Sequence, residues 1–478
     1  MASSKKDSSS ITPREVPGSY GFPLLGNLRD RMDFYYRQGH EKYFVSRIEK
    51  YGSTVVRINV PRGPFMVLDP RVVALLDAKS FPVLFDPSKV EKRNTLGGTY
   101  VASTTLTGGH RVCAYLDPSE PAHAKAKQML LSLLHSRRDA FIPAFRSNFS
   151  SLLSVVEMQL KVGEGKPVDF NKLNDVVVYD FLGEAYFGAR PSAFTPDLAS
   201  KAGKWLLVQL CPLATLGLPM LIEEPLLHSV PLPPVLVRGD YKALHAYFSA
   251  AGATAIDEGE KLGLSREEAC NNLIFATTFN SYGAMKLLLP GILTCISGDE
   301  ELHKKLASEI RAAVAGAGGQ VTLAALERME LTKSVVWEAL RLDPPVKFQY
   351  GRAKADMLIE SHDAVYEVKK GELLLGYQPC ATRDARVFGD TAGKFVADRF
   401  VGEDGRKLLR YVYWSNGRET EDPTVDNKQC PGKDLGVLVG RMFLVELFLR
   451  YDTFTVKVTN GPLGTNVAFT SVTKAAAA

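Results

Sequence analysis

One cysteine, Cys430, stands just ahead of a long apolar segment near the end of the chain, and this arrangement constrains the fold more than any other feature. Residues 432–451 are rich in Leu, Val, Phe and Met and carry few charges, a pattern that predicts a buried helix. Cys430 is therefore expected at a helix N-terminus, where free amides and the helix dipole favour an anionic sulfur and lower the thiol pKa. Such a sulfur can bind a metal, although taken alone the pattern is more typical of a buried structural cysteine.

A second motif lies about ninety residues upstream of the cysteine. Glu338 and Arg341 are three residues apart on a predicted helix over residues 332–342, so their side chains share one face and can pair. Arg399 offers a second arginine, which could complete a buried Glu/Arg/Arg network under the cysteine loop. Taken by themselves, Glu338 and Arg341 are better interpreted as an exposed ion pair.

In this order, the Glu-x-x-Arg pair, Arg399 and the Cys-Pro-Gly of Cys430 resemble the motifs of the haem-thiolate cytochromes, the cytochrome P-450 superfamily. The resemblance implies a mainly α protein with a small β region, the cytochrome P-450 fold. It implies haem b, with its iron bound by the Cys430 thiolate, a ligand that favours O–O bond cleavage. We expect a flexible N-terminal segment over residues 1–15 and a single catalytic domain over residues 16–478.

The loop before the ligand departs from the pattern of oxygen-activating members. The segment 414–417 resembles the family's Phe-x-x-Gly anchor, which normally lies a few residues before the cysteine. Here residues 418–429 separate that anchor from Cys430. A loop of this length argues against an ordinary monooxygenase.

The predicted central helix departs from the pattern as well. It should begin at Ser265 with a capping box to Glu268 and run toward Pro290. Where an oxygenase needs a carboxylate and a hydroxyl to deliver protons to dioxygen, this helix has Asn280, a neutral amide. Proton delivery to dioxygen is therefore predicted to be disabled.

Both departures resemble one branch of the superfamily, the plant enzymes that rearrange fatty acid hydroperoxides: allene oxide synthases, hydroperoxide lyases and divinyl ether synthases. The resemblance covers nearly the whole chain, including segments 16–21, 116–121, 279–283, 376–379 and 427–430. It implies a hydro-lyase, a hydroperoxide dehydratase of oxylipin and jasmonate biosynthesis. The expected reaction converts a fatty acid hydroperoxide, in particular 13-hydroperoxy-octadecatrienoic acid, to an allene oxide and water without dioxygen or a reductase.

The resemblance also implies roles for side chains near the substrate. Asn280 is expected to hydrogen-bond the hydroperoxide, because an amide donates and accepts without adding a charge; the alternative is a structural asparagine at a helix irregularity. Lys286, typical of the synthases, is predicted to bind substrate, with a snorkelling surface lysine as the alternative. Thr382 matches a substrate-pocket position and is also a reasonable strand-end hydroxyl.

Leu96 leaves the product open. Most synthases have phenylalanine at this position, whose face could stabilise a carbon radical and its cation, whereas lyases typically have leucine, as here. Lys286 and the run around Asn280 favour a synthase, and we predict that activity with a hydroperoxide lyase, giving aldehydes and oxo acids, as the alternative. A third hypothesis is a haem protein without activity that coats a lipid surface.

Haem propionates need cations or other donors, and four residues are predicted to supply them. His123 and Lys127 are spaced i, i+4 on a helix beginning near Ser119, so they project from one face. Lys428, two residues before the ligand, and Lys92 are further propionate-binding candidates. Ordinary solvated polarity is the alternative for His123, Lys127 and Lys428.

Composition limits the partners and the compartment. The formal charge of +5 is small for 478 residues, and no basic stripe with interleaved aromatics indicates nucleic acid. Six scattered cysteines form no paired framework, as expected in a reducing compartment. The resemblance implies a chloroplast enzyme, associated with the envelope and coupled to a lipoxygenase and a cyclase; a cytoplasmic location is the alternative, because the N-terminus is a poor transit peptide.

Two further expectations concern membranes and strands. Residues 205–222 lack charges but are interrupted by Pro212, Gly217 and Pro219, so a buried or monotopic substrate entrance and peripheral membrane association are expected rather than a spanning helix. Strands 54–60 and 64–69 are predicted to form one hairpin, and residues 366–375 another, turning at Lys370-Gly371.

Overall fold

The computed structural model describes residues 12–23, 25–60, 69–95, 100–461 and 464–476. In this part of the chain, helices dominate, as predicted. The α-helices are α1 (Leu25–Met32), α2 (His40–Tyr51), α3 (Pro121–Ser136), α4 (Phe141–Val162), α5 (Phe170–Phe187), α6 (Pro191–Phe194), α7 (Leu198–Leu210), α8 (Met220–Glu223), α9 (Arg238–Ala251), α10 (Ala253–Lys261), α11 (Arg266–Ile274), α12 (Gly283–Ile296), α13 (Glu300–Ala315), α14 (Leu323–Glu327), α15 (Glu330–Leu342), α16 (Gln378–Thr382), α17 (Ala385–Phe388), α18 (Gly402–Lys407) and α19 (Lys433–Arg450).

Short strands form the smaller β region. They are β1 (Arg14–Glu15), β2 (Val55–Asn59), β3 (Arg71–Leu75), β4 (Val90–Glu91), β5 (Val168–Asp169), β6 (Phe348–Ala353), β7 (Met357–Glu360), β8 (Val365–Val368), β9 (Leu373–Tyr377), β10 (Tyr413–Trp414), β11 (Gly417–Arg418), β12 (Tyr451–Gly461) and β13 (Gly464–Lys474). The main sheet has the order β2-β3-β9-β6-β4, in which β3 and β9 are parallel. Sheets β1-β8-β7 and β12-β13-β5 and the hairpin β10-β11 complete the region.

The apolar segment after the cysteine is the buried helix that its composition predicts. Most side chains of α19 are buried, including Phe443, Leu444 and Leu447, which are fully enclosed. α19 packs closely on α15 at Gly440, where a Cβ atom would lie only 2.7 Å from Cγ1 of Val336. The missing side chain therefore sets the distance between these two helices.

The predicted central helix is present but has three parts. Ser265 and Glu268 form the predicted capping box at the start of α11. Residues Phe275–Tyr282 then form a π-helical stretch, and α12 continues through Pro290 to Ile296. Pro290 is buried in apolar packing, which here outweighs the loss of one backbone donor.

The strand predictions are right in part. The strand predicted at 54–60 is β2, and its antiparallel neighbour is β3; most of the strand predicted at 64–69 falls outside the described residues. The hairpin predicted at 366–375 is wrong, because β8 pairs with β7 while β9 pairs with β6 in a different sheet. Gly371, at a φ of 87°, turns the chain as expected, but the turn leads from one sheet to another. The sheet β1-β8-β7 includes Arg14, which lies inside the segment predicted to be flexible, residues 1–15.

The uncharged segment at 205–222 is broken as its prolines and glycine predict. α7 ends at Leu210, and after an irregular stretch α8 occupies only one turn. Trp205 is fully buried, and its indole nitrogen donates to the Leu106 carbonyl at 3.0 Å. Within the described ranges, no helix combines the length and apolar character needed to cross a bilayer.

Candidate active site

Cys430 is held directly by the hairpin β10-β11. The Cys430 N–H donates to the Ser415 carbonyl at 3.0 Å, and the Lys433 N–H donates to the Cys430 carbonyl at 3.3 Å where α19 begins. Asn416, at the turn of the hairpin, has a φ of 62°. The segment 414–417 is therefore next to the cysteine in space, although residues 418–429 separate them along the chain.

The intervening loop closes back onto the same hairpin through Gln429. Its amide nitrogen donates to the Arg418 carbonyl at 2.7 Å and to the Glu421 carbonyl at 3.1 Å. Gly417 leaves the space for this side chain, since a Cβ there would lie 2.4 Å from Cδ of Gln429. The residue before the ligand is thus fixed by packing that only glycine permits.

The thiol of Cys430 is more basic than the helix N-terminus alone predicts. Burial raises its pKa, while a hydrogen bond from the Gly432 backbone and the positive charge of Lys127 act in the opposite direction. The predicted lowering of the pKa is therefore wrong in sign, because desolvation outweighs the local amides. A bound metal cation would reverse this balance, since a coordinating thiol is deprotonated.

Glu338, Arg341 and Arg399 form the buried cluster that we call the arginine network. Arg341 donates to the two carboxylate oxygens of Glu338 at 2.7 and 2.8 Å, and Arg399 donates to Glu338 Oε1 at 2.9 Å. Glu338 and Arg341 have no exposed surface, so the exposed-pair interpretation is wrong. The remaining Arg341 donors reach the carbonyls of Thr382 and Ala392 at 2.9 and 2.6 Å.

Thr382 belongs to this network and not to a substrate surface. It is fully buried, and its hydroxyl lies 2.7 Å from the Arg341 carbonyl and 3.1 Å from the Gln378 carbonyl. The predicted substrate-binding role is therefore corrected, because the hydroxyl is used inside the protein. The alternative, a structural hydroxyl, agrees with these bonds, but Thr382 is the last residue of α16 and not the end of a strand.

Lys92, His123, Lys127 and Lys428 lie close together beside the cysteine loop and form what we call the cationic cluster. Lys127 donates to the backbone and side-chain oxygens of Asn427, and Lys428 donates to the carbonyls of Cys113 and Leu116. These contacts join the helix α3, the loop before it and the ligand loop. The solvated-polarity interpretation is wrong for His123 and Lys127, which are buried, as Lys92 is too. Lys428 is half-buried, and its ammonium is bonded to protein carbonyls.

The cationic cluster is not satisfied by the protein itself. Lys92 Nζ and both ring nitrogens of His123 are buried without a hydrogen bond of good geometry to any described group. Burial and the charge of Lys428 lower the pKa of Lys92 to about 7. Burial, with Lys428 and Lys127, lowers the pKa of His123 to about 4, against small opposite contributions from the Val425 backbone and Asp117.

Unpaired buried nitrogens of this kind indicate a missing anion. A pair of haem propionates would give Lys92 and His123 the acceptors that they lack and would stabilise the charged lysine. Cys430 supplies a thiol of the type that binds haem iron. The residues present therefore fit a haem whose charged edge lies at the cationic cluster.

Asn280 lies in the π-helical stretch and is free to bind a ligand. Its side chain is exposed and makes no hydrogen bond to any other described residue. Its neighbours are engaged with α5, where Thr278 bonds Tyr179 and Ser281 bonds Tyr186, each at 3.0 Å. π-Helical turns often mark functional sites, and here the turn leaves a neutral amide uncommitted.

Lys286 forms an ion pair with Asp175, whereas the sequence suggested either a substrate-binding lysine or a surface lysine. Its Nζ lies 2.7 Å from Asp175 Oδ2 on α5 and 5.1 Å from the centre of the Tyr282 ring. Burial raises the pKa of Asp175, and Lys286 opposes that shift. Its predicted role in substrate binding stays a prediction, and any substrate group would compete with Asp175 for the ammonium.

The structure also identifies partners that the sequence did not. Asp175 lies far from Lys286 along the chain, and no local pattern joins them. Asn427 was noted in the run before the cysteine, but its bond to Lys127 required the folded loop. Leu96, on which the choice of product partly rested, lies outside the described residues.

The site and fold together define a haem-thiolate protein, and comparisons with known proteins agree. Residues 267–471 match the family model described as Cytochrome P450. The chain is 69% identical over 466 residues to "Allene oxide synthase 2" of Oryza sativa subsp. japonica, covering 97% of this chain and 96% of the relative. It is 51% identical over 465 residues to "Allene oxide synthase, chloroplastic" of Arabidopsis thaliana, covering 97% and 89%.

The chain therefore belongs to the cytochrome P450 family, in its allene oxide synthase branch. Membership implies a haem iron with a cysteine thiolate ligand. Among several similar relatives, those of Solanum lycopersicum and Linum usitatissimum also carry the name allene oxide synthase. These names support the synthase over the lyase that Leu96 suggested.

Proposed function

We infer that this chain is an allene oxide synthase, a hydro-lyase that converts a fatty acid hydroperoxide to an allene oxide and water. The observation that carries this inference is the uncommitted neutral amide of Asn280 in a helical stretch without acids. No Asp or Glu occurs from residue 269 to 298, so no carboxylate near Asn280 on this helix is available for delivering protons to dioxygen. A substrate that already contains an O–O bond needs no such group.

The proposed roles follow from the contacts of the side chains. Bound haem b, ligated by Cys430, supplies an iron whose thiolate ligand promotes O–O cleavage. Asn280 hydrogen-bonds the hydroperoxide and orients it without adding a charge. The cationic cluster holds the propionates, and the arginine network fixes the backbone between residues 382 and 396.

The proposed reaction also indicates the substrate and the partner enzymes. The expected substrate is 13-hydroperoxy-octadecatrienoic acid, supplied by a lipoxygenase-type dioxygenation and consumed by a cyclase in jasmonate formation. No reductase is required, because the hydroperoxide is its own oxidant. The names of several relatives include the word chloroplastic, which supports a chloroplast location for this chain.

We propose that the enzyme binds membranes peripherally through an apolar face, consisting of Phe22, Leu25, Leu28, Leu221 and Leu226. These side chains are between 48% and 82% exposed. They belong to two adjacent segments, since Arg31 after the first pairs with Glu224 in the second. An exposed apolar set of this size is typical of interaction with a lipid surface.

Product analysis tests the proposed reaction. Purified holoenzyme receives the 13-hydroperoxide without a reductant, and the products are identified by mass spectrometry. Ketols and cyclopentenones, which form from an allene oxide, support the proposal. Short aldehydes would identify a lyase, a lack of substrate consumption would identify an idle lipid-coating protein, and a requirement for NADPH would remove the chain from this reaction class.

Asn280 provides the matching variant test. Asn280→Leu removes the hydrogen bond to the peroxide, so we expect kcat to fall about 10–100-fold with an unchanged Soret band. Asn280→Gln keeps the amide and should recover part of the loss. Equal activity of the leucine variant and the wild type would show that the amide does not bind the reacting group.

A further inference from the structure

A cavity of about 520 Å³ lies away from the cysteine, between the N-terminal segment, α1 and α2. Asp33 and Ile58 are buried at its base, whereas Phe22, Leu25 and Lys50 are exposed at its mouth. A volume of this size is typical of small-molecule sites. None of the residues predicted for the haem or the hydroperoxide lines it.

The charges that line the cavity leave a positive excess. Asp30 and Asp33 are both bound by Arg47, whose Nη2 lies 2.9 Å from one oxygen of each. Arg29 and Lys50 have no carboxylate within ion-pair distance anywhere in the described ranges. Three cations therefore face two carboxylates. Arg29 and Lys50, the two without a carboxylate partner among the described residues, are exposed at the mouth, where Lys50 Nζ lies 4.9 Å from the centre of the Tyr51 ring.

Neutral donors and an apolar rim complete the lining. The Gln38 amide nitrogen and the Tyr51 hydroxyl have no hydrogen-bond partner among the described residues. At the mouth, Phe22 is 81% exposed and Leu25 is 69% exposed, and both belong to the apolar face. The cavity thus offers neutral hydrogen-bond donors and a positively charged mouth beside a surface suited to hydrocarbon.

We propose that this cavity binds the anionic headgroup of a membrane phospholipid, with Arg29 and Lys50 contacting the phosphate. The inference rests on the proposed membrane association and adds lipid selectivity to it. A phosphoglycerol group fills more of the cavity of about 520 Å³ than a fatty acid carboxylate does, and its phosphate and hydroxyl oxygens can accept hydrogen bonds from the neutral donors. The lipid chains would continue along Phe22 and Leu25 into the bilayer.

Vesicle sedimentation of the haem-loaded enzyme tests this site. Vesicles of phosphatidylcholine alone are compared with vesicles that also contain phosphatidylglycerol. The double variant Arg29→Gln/Lys50→Gln should lose roughly tenfold or more of the preference for the anionic vesicles, because each cation near a charged membrane contributes appreciably. Its binding to neutral vesicles should stay unchanged, and the Soret band checks that the fold is intact.

A matched control distinguishes binding at the cavity from a general effect of lowering the positive charge of the protein. Lys161→Gln/Lys166→Gln makes the same charge change at two exposed lysines outside the cavity. This variant should keep the preference, and an equal loss in both variants would overturn the proposal. So would equal binding of the wild type to both kinds of vesicle, or the absence of binding to either.

A soluble phospholipid identifies the occupant. Dihexanoyl phosphatidylglycerol, titrated calorimetrically below its micelle concentration, should bind the wild type saturably and the Arg29/Lys50 variant at least tenfold more weakly. Binding of a soluble fatty acid anion in its place would assign the cavity to the substrate and contradict the proposal. Hydroperoxide turnover of the wild type in the same buffer reports separately on the proposed reaction.

Discussion

The arginine network and the cationic cluster are both buried groups of charged residues, but their charges are compensated in different ways. In the network, each Glu338 oxygen accepts arginine donors at 2.7–2.9 Å, and further donors reach backbone carbonyls. In the cluster, Lys92 Nζ and the ring nitrogens of His123 make no hydrogen bond of good geometry to any residue that the structure describes. The described residues complete the first region by themselves, whereas the second has buried nitrogens that an anion, such as the propionates proposed above, would satisfy.

The largest expected effect comes from removing the Cys430 sulfur. In Cys430→Ser, the cationic cluster is intact, but the thiolate is gone, so we expect loss of the thiolate-type Soret spectrum and of hydroperoxide turnover. Cys380→Ser, a change at a half-buried free thiol, should retain both. Turnover by the Cys430 variant at the wild-type rate would mean that the cluster binds a haem that reacts without this ligand.

A change in the arginine network should destabilise the protein whether or not haem is bound. Glu338→Gln leaves Arg341 and Arg399 buried without a negative partner, so the free energy of unfolding should fall by about 3–5 kcal/mol. Glu330→Gln, on the same helix, breaks only an exposed ion pair with Arg406. This variant should change the free energy of unfolding by less than about 0.5 kcal/mol. Denaturant unfolding measures the loss of stability in each variant. Equal losses in Glu338→Gln and Glu330→Gln would show that the arginine network does not stabilise the fold more than an exposed ion pair does.

A change in the cationic cluster should have opposite effects on the haem-free and haem-loaded protein. Lys92→Met removes a buried unpaired cation, so the haem-free protein should gain roughly 1–3 kcal/mol at pH 6, while haem is retained about 10–100-fold more weakly. The folded pKa of Lys92 is lowered to about 7, below the unfolded value of about 10.4. The folded state thus binds fewer protons, and wild-type stability should rise between these values.

The pH dependence sharpens the same test. Because the wild type recovers stability as Lys92 loses its proton, the advantage of Lys92→Met should be largest below about pH 7 and shrink toward pH 10. Thermal unfolding of both haem-free proteins across this range gives the comparison. Parallel curves for the two proteins would mean that Lys92 is already compensated and that the cluster is complete without an anion.

The smallest effect is expected for an acid outside both regions. Arg450 and Lys474 lower the pKa of Glu157 to about 2, against an unfolded value of about 4.3. This stabilisation is present above the unfolded pKa and is lost as pH falls toward 2. Since the pair is near the surface, Glu157→Gln should cost about 1 kcal/mol or less at pH 7 and nothing near pH 2, as measured by unfolding at both values.

The sequence predicted the parts of the site that depend on local spacing. The capping box at Ser265, the shared face of Glu338 and Arg341 and the helix after Cys430 all follow from periodicity within one segment. The hairpin at 366–375 failed because strand partners are chosen across the fold, and the turn at Gly371 does not reveal them. Local signals therefore located the elements but not their neighbours.

Electrostatic predictions failed for a related reason. The thiol of Cys430 was expected to be acidic from its place at a helix start, yet burial raises its pKa. Likewise, the bond between Lys286 and Asp175 joins two helices whose proximity no motif encodes. Desolvation and long-range pairs depend on everything that surrounds a group, and a single segment does not contain that information.

The bond between the Cys430 amide and the Ser415 carbonyl makes residues 416–429 a closed ring of chain. Because this hydrogen bond joins the two ends of the loop, residues can be added to or removed from the loop while the sulfur keeps its position. The entropy of closing such a ring changes only slowly with its length. Relatives could thus carry very different outer surfaces here, with different affinities for other proteins, and still present an identical ligand to the metal.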